Sequence, residues 1–382
     1  MACIPIVGDL VDLIGPFAER VENRSLLLDK FCFHKRWGLG ALKANDAHRW
    51  TLLRICENGP ALLSREAQRK KDDGTRLGTR NPEKSERLKS EAEVAASLSN
   101  TRVDAPELAA LRAKHTRRFI GLFRSAFGDR ALVIIGQLEG RLAINLADSL
   151  IQNAVISLDR LFGLPYIAGS AIKGVCRHAA LEELKAATGQ DRARLFEEFR
   201  DVFGTADNDF SNGALRPFGD LLGQRPPNWR GRVSFLPAYP VNQAKLVVDL
   251  TNVHYPNYYQ SGETEDLATE NPRPNPFPAV EVGAQFAFCV VLDSPETNAG
   301  TLDAARRWLE TALTVRGLGA KTASGYGWFS LRPAVLDEII AEEKKAEEDA
   351  KASAIETAKK QAQADAEAAR IASLSPVEVA RE

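Results

Sequence analysis

The run from Gly317 to Phe329, Gly-Leu-Gly-Ala-Lys-Thr-Ala-Ser-Gly-Tyr-Gly-Trp-Phe, constrains this chain more than any other stretch. Its glycines admit positive φ and the close approach of another backbone or of a bulky anion. Lys321 adds a point charge, and Thr322 and Ser324 add hydroxyl donors. The loop therefore suits an anion held by main-chain N–H groups, and equally a tight turn into an edge strand. Upstream, Leu302, Ala305, Leu309 and Leu313 recur at helical spacing, and downstream Tyr326 to Leu331 reads as a strand. A nucleotide P-loop needs the opposite order, strand, loop, helix, with Gly-Lys-Ser/Thr contiguous. Here Ala320 separates Gly319 from Lys321, so the order helix, glycine loop, strand argues against ATP or GTP hydrolysis.

A second glycine loop, Gly163 to Arg177, runs directly into a helix expected over 171–187. Ser170 is expected to cap that helix, leaving N–H groups and the positive helix end beside Lys173. Arg177 lies four residues on, on the same helix face. An anion at such a helix start needs no further machinery.

Around these loops the pattern alternates between helix and strand. The spacing predicts helices over 41–57, 104–127, 192–203 and 301–313, and strands near 132–146, 231–236, 245–249 and 285–292. In the helix over 104–127, Asp104 is the expected cap, Pro106 sits in the first turn, and Leu108, Leu111, His115, Phe119, Leu122 and Phe123 form the expected core stripe. His115 on that stripe reads as a core histidine rather than a ligand, since no carboxylate or cysteine stands at ligand spacing. The polar stretch Arg65 to Thr101 reads as a flexible insertion. The proline-rich 225–229 and 271–278 read as irregular connections, and 252–259 gathers His254, Tyr255, Tyr258 and Tyr259, a cluster suited to base stacking or to packing on its own sheet.

A net charge of −1 hides an uneven distribution. Residues 336–382 carry 12 acidic and 7 basic side chains, so the remainder is net positive, while 65–130 holds 16 basic against 10 acidic in the mixed pattern of a solvated surface. The Ala/Glu/Lys-rich stretch from Asp337 to Arg370 reads as a solvated helix or a partly disordered tail. Five cysteines without a C-x-x-C pair point away from a zinc site or a disulfide framework and toward a reducing cytoplasm. No secretory leader is read at the start, no apolar run approaches the roughly 18 residues of a membrane span, and no cofactor or metal is expected.

Together the two loops resemble those of the RAMP superfamily of CRISPR-associated proteins. Pro165-Tyr-Ile-Ala-Gly-Ser-Ala-Ile-Lys-Gly-Val-Cys-Arg177 is similar to the family's P-Y-I-P-G-S-S-I-K-G-x-x-R segment, with Ala168 in place of the usual proline, and Gly317 to Gly327 is similar to its G-x-G-x-K-T-x-x-G-Y-G loop. Asp249, the stretch His254 to Tyr259 and Leu26 to Phe31 narrow the resemblance to one capping subunit of type III-B effector complexes. The resemblance is good over 138–331, thin over 1–130 and absent from the tail.

The resemblance implies an α+β chain: a modified RRM (ferredoxin-like) RAMP domain over 130–333, a mostly helical region with a flexible charged insertion over 1–129, and a charged helical or disordered tail over 334–382. It implies an RNA-binding surface in which Gly169, Ser170, Lys173 and Arg177 face guide-RNA phosphates and Gly319, Lys321, Thr322 and Ser324 line the same groove, with His254 and Tyr255 beside them; Tyr326 is a candidate core residue. The implied partners are guide RNA near its 3′ end, target RNA as a further candidate, and neighbouring RAMP subunits, one from the backbone and a second capping subunit. Relatives that cut target RNA carry an aspartate in an I-D-N-P-V setting, whereas Ile151 to Val155 places Gln152 there. The enzyme alternative is a metal-independent endoribonuclease pairing His254 with Tyr255 or Tyr258 and Lys321.

Overall fold

The computed structural model describes residues 22–29, 53–100, 106–146, 156–254, 273–294 and 299–373. The chain divides into two compact units, Met1–Arg332 and Pro333–Glu382. Within the first, an antiparallel sheet is built from β1 (Ala131–Leu138), β4 (Val233–Phe235), β8 (Gln285–Leu292) and β9 (Phe329–Leu331) in the order β4-β8-β1-β9. The short β5 (Tyr239–Pro240) adds to β8, β2 (Gly204–Thr205) and β3 (Trp229–Arg230) pair with each other, and α1 (Arg24–Asp29) is the first described helix. Helix α5 (Gly169–Ala186) follows β1, and α8 (Ala299–Thr311) lies between β8 and β9. Strand, helix, strand, strand, helix, strand with the first strand central is the ferredoxin-like arrangement, and the fold is α+β.

Alternation along β1 divides the core. Leu132, Ile134 and Leu138 join the main cluster with Ile172, Cys176, Leu184, Trp308 and Leu309 of α5 and α8, and with Phe196 and Phe199 of α6 (Gly189–Phe203). Val133 and Ile135 point to the other side, where α4 (Pro106–Phe127) packs against β1, β5 and β8. In RRM proteins that second face stacks bases; here a helix covers it.

The buried face of α4 differs from the expected stripe. Ala109, Arg112, Thr116, Ile120 and Phe123 are buried, whereas Leu111 and Leu122 are 62% and 60% exposed, and Phe119 and His115 are also exposed. Ala109 and Thr116 put small side chains on the buried face, and the larger Leu111, Phe119 and Leu122 lie on the solvent side. His115 is thus no core histidine; its ring lies on Phe162, centroids 4.7 Å apart.

Arg65 to Thr101 is no flexible insertion over its described part. It lies in a helical hairpin, α2 (Gly59–Leu77) and α3 (Pro82–Ser99). Its polarity is consumed internally: Lys70 reaches Glu91 at 2.5 Å, Arg87 reaches the same carboxylate at 3.1 Å, and Glu91 is 1% exposed. The Ser85 hydroxyl donates to the Gly74 carbonyl at 2.7 Å, where the helices come closest. Of the helix expected over 41–57, residues up to 52 lie outside the described residues; Leu53 and Arg54 alone are helical.

The proline-rich connection is also more ordered than expected. Arg273–Val280 forms β7, paired antiparallel with β6 (Leu246–Val253). Pro274, Pro276 and Pro278 lie opposite Asn252, Leu250 and Val248, so all three missing N–H groups fall on the edge facing away from β6. The partner strand bears this out, since Val248 turns its N–H and C=O outward to the Asn58 side chain, at 2.8 and 3.1 Å. The second unit holds α9, Pro333–Ser373, so its described part is one 41-residue helix. Among the described residues no helix is long and apolar enough to cross a membrane.

Candidate nucleic-acid interface

Helix α5 begins two residues earlier than expected. Its N-cap position is Ala168, extended and without a side-chain cap, so Ser170 is not the cap but lies in the first turn with its hydroxyl exposed. The first hydrogen bonds run from the N–H groups of Ala171 and Ile172 to the Ala168 carbonyl, leaving those of Gly169 and Ser170 without a backbone acceptor. Gly169 is required by packing: a Cβ there would lie 2.2 Å from the Phe235 carbonyl oxygen. Lys173 is half-buried and makes no hydrogen bond or ion pair; burial, then Arg177, hold its ammonium below the usual lysine range, against the pull of Asp293. Arg177 is committed elsewhere, reaching Asp209 at 2.7 Å and lying over the Phe199 ring at 5.2 Å. It fastens the short helix α7 (Asp207–Ser211) to α5 and is no free phosphate ligand.

The glycine loop packs beyond the Leu138 end of β1. Ala320 donates to the Ala143 carbonyl at 2.7 Å, Gly327 to Arg141 at 2.8 Å and Leu318 to Gly327 at 2.8 Å. A Cβ at Gly327 would lie 1.8 Å from the Leu318 oxygen, and one at Gly319 would lie 2.5 Å from the Ala143 oxygen. Lys321 takes a left-handed conformation with φ 61°, and its ammonium turns back onto the β6–β7 hairpin, 2.8 Å from the Thr251 hydroxyl and 5.0 Å from the Phe277 centroid. The side chain expected to carry the loop's charge outward is instead a tether. What faces outward is neutral: the exposed Ser324 hydroxyl, the half-buried Thr322 hydroxyl, and the N–H groups of Gly319, Lys321, Thr322 and Ala323, none with a backbone acceptor.

Beneath the loop lies a charged lattice that sequence reasoning missed. Arg141 donates to Glu281 at 3.0 and 3.2 Å and to Asp249 at 2.9 Å, and the Tyr326 hydroxyl donates to the same Asp249 oxygen at 2.6 Å. Burial opposes ionisation of Asp249, but Tyr326 and Arg141 outweigh it and hold the carboxyl below its usual range. Burial and the Asp249 contact push the Tyr326 phenol up to about 12. Arg141 stands at the head of an apolar stretch, Leu142 to Ile144, and that misplaced charge was the available signal.

The two predicted clusters do not share a groove. The α5 start sits at Phe235, next to Leu236, whose N–H bonds Cys289, itself paired with Val133. The glycine loop meets the sheet where Glu139 donates to the Trp328 carbonyl. Six residues of extended chain separate Val133 from Glu139, on the order of 20 Å. His254 is exposed just past the end of β6, and Tyr255, Tyr258, Tyr259 and Gln152 lie outside the described residues. Among the described residues no three His, Cys, Asp or Glu side chains are placed to hold a metal ion. Cys56, Cys176 and Cys289 are buried free thiols whose ionisation burial opposes.

The family profile described as RAMPs: RAMP superfamily matches residues 149–330. The CRISPR system Cmr subunit Cmr6 of Pyrococcus furiosus is 29% identical over 228 residues, 50% of this chain and 64% of that protein's length. Among solved structures, a type III-B Cmr-beta complex bound to cognate target RNA contains a chain 18% identical, covering 74% of this chain and 96% of that one at a TM-score of 0.43. The crystal structure of Cmr6 from Pyrococcus furiosus is 26% identical, covering 53% of this chain and 97% of that one at a TM-score of 0.31. Residues 149–330 of this chain are thus similar to the RAMP superfamily, and the chain spans 64% of the length of the curated relative it matches.

Proposed function

We propose that this chain is a non-catalytic RNA-binding subunit of a type III-B CRISPR effector assembly, working in the cytoplasm in antiviral defence. The similarity to the RAMP superfamily and to a Cmr subunit supports membership of such an assembly. The observation that carries the RNA reading is the glycine loop, where the Ser324 side chain is exposed and the N–H groups of Gly319, Lys321, Thr322 and Ala323 have no backbone acceptor. Phosphate contacts of this kind position a strand without reading its sequence, which base pairing of a guide does instead. On this reading the chain holds guide RNA near its 3′ end, caps the row of backbone subunits beside a second capping subunit, and leaves target RNA to the paired guide.

An acid–base pair for cleavage has less support. The Lys321 ammonium is bonded to Thr251, and Asp249 is ionised and saturated by Arg141 and Tyr326, so neither is poised to move a proton. The test measures single-stranded RNA binding as salt rises. Lys173→Ala should shrink the logarithmic salt slope by about 0.7, one phosphate contact, and Ser324→Ala should weaken binding about fivefold, the worth of one hydrogen bond. Unchanged slope and affinity in both variants would sink the reading, as would discrete RNA products formed in chelator and lost in His254→Ala.

A further inference from the structure

We propose that Asp249, Tyr326 and Arg141 are positioning residues that hold the glycine loop and the β6–β7 hairpin as one recognition body, so that the hairpin base sets the loop's grip on RNA. This rests on the RNA-binding reading of the loop. Three kinds of bond converge there. The first is ionic: Arg141, whose own carbonyl receives the Gly327 N–H, spans Asp249 of β6 and Glu281 just after β7. The second is the Tyr326 hydroxyl, which reaches from within the loop to Asp249 at 2.6 Å while its ring lies 5.9 Å from Phe277. The third is the Lys321 tether to Thr251, two residues along the same strand face from Asp249.

The loop cannot hold its own shape by these means, because its internal bonds are few. Besides Leu318 to Gly327, they join Ser324 and Tyr326 to the Lys321 carbonyl, Gly325 to Thr322, and the Trp328 indole to the Thr322 carbonyl. The outward-facing donors at Thr322, Ala323 and Ser324 lie between the two residues that the hairpin grips, Lys321 and Tyr326. Movement of the hairpin base therefore moves the donors. Asp249 is the pivot, since one of its oxygens accepts from both Arg141 and Tyr326 while the other caps the Leu250 N–H at 2.8 Å. The carboxylates of the lattice, Asp249 and Glu281, both belong to the hairpin side, and the loop contributes the Tyr326 hydroxyl and the Lys321 ammonium.

The structure contains its own reporter. The Trp328 indole N–H donates to the Thr322 carbonyl at 3.0 Å, so its solvent exchange follows loop opening. In the full-length chain, Tyr326→Phe and Asp249→Asn should speed exchange of the Trp328 indole and of the Gly327 and Ala320 amides about tenfold, leaving the β1 amides at wild-type rates. The same variants should weaken binding of a labelled oligouridine 12-mer about fivefold, although neither side chain belongs to the outward-facing set. Unchanged loop exchange overturns the proposal, and so does faster loop exchange with unchanged affinity. If Ser324→Ala weakens binding while Tyr326→Phe does not, the positioning role alone falls and the RNA-binding reading stands. A wild-type chain that does not bind the 12-mer overturns that reading and the positioning role together, and the exchange result still decides whether the lattice holds the loop.

Discussion

At the level of single residues, charge was easy to find in the sequence and its employment was not. Lys173, Arg177 and Lys321 are the same residue class at similar glycine-flanked positions, yet Arg177 pairs with Asp209, Lys321 reaches Thr251, and Lys173 alone of the three stays without a bond. Asp209 and Thr251 are 32 and 70 residues away from the cations they occupy, so no local pattern shows the pairing. The Asp249 lattice yields a titration. Tyr326, held at about 12 by burial and Asp249, has a folded pKa above its unfolded value; its contribution is complete below the unfolded value near 10 and is lost as pH rises toward 12. Tyr239, pushed up to about 12 by burial and Asp159, behaves alike. Ultraviolet titration of tyrosinate should therefore show an absorbance change near pH 12 that is smaller by one tyrosine in Tyr326→Phe than in the wild type. An undiminished change in the variant would place the late proton elsewhere.

At the level of elements, periodicity located helices and strands well and their buried faces less well. The helix over 104–127 was legible from Asp104, Pro106 and its spacing, but its core face was not: an average of side-chain hydrophobicity favours Leu111, Phe119 and Leu122, while close packing on a sheet favours Ala109 and Thr116. Ile120→Ala should cost about 3 kcal/mol, as for a fully buried aliphatic side chain, while Leu122→Ala should change stability by under about 0.5 kcal/mol. Chemical denaturation measures both, and equal costs would return the helix to the orientation the sequence suggested. The α2–α3 hairpin makes a related point. Its composition resembled that of a disordered segment, and its order comes from buried pairs such as Lys70 with Glu91, which only two helices side by side can form.

At the level of the whole molecule, the consequence is a pair of separate anion-suited surfaces instead of one groove. A strand rising 3.4 Å per nucleotide needs about six nucleotides to cross the intervening 20 Å or so. Sites that far apart act independently, so on a 12-mer the affinity losses of Lys173→Ala and Ser324→Ala should multiply to within about twofold. Strong departure from multiplication in the double variant would mean that the two side chains share a phosphate after all. The sheet face that RRM proteins offer to bases is covered by α4, which leaves the sheet's ends and loops as the surfaces open to a strand.

The sequence by itself determined the order of elements, the two glycine loops and their flanks, because φ freedom, helical spacing and strand alternation are local properties read within a dozen residues. Tertiary structure alone decided which face of α4 is buried, which cations are spent, that alternate prolines could form β7, and that the loops stand at opposite ends of the sheet. Those outcomes depend on contacts between residues tens to hundreds of positions apart, and their energies exist only once the chain has closed on itself.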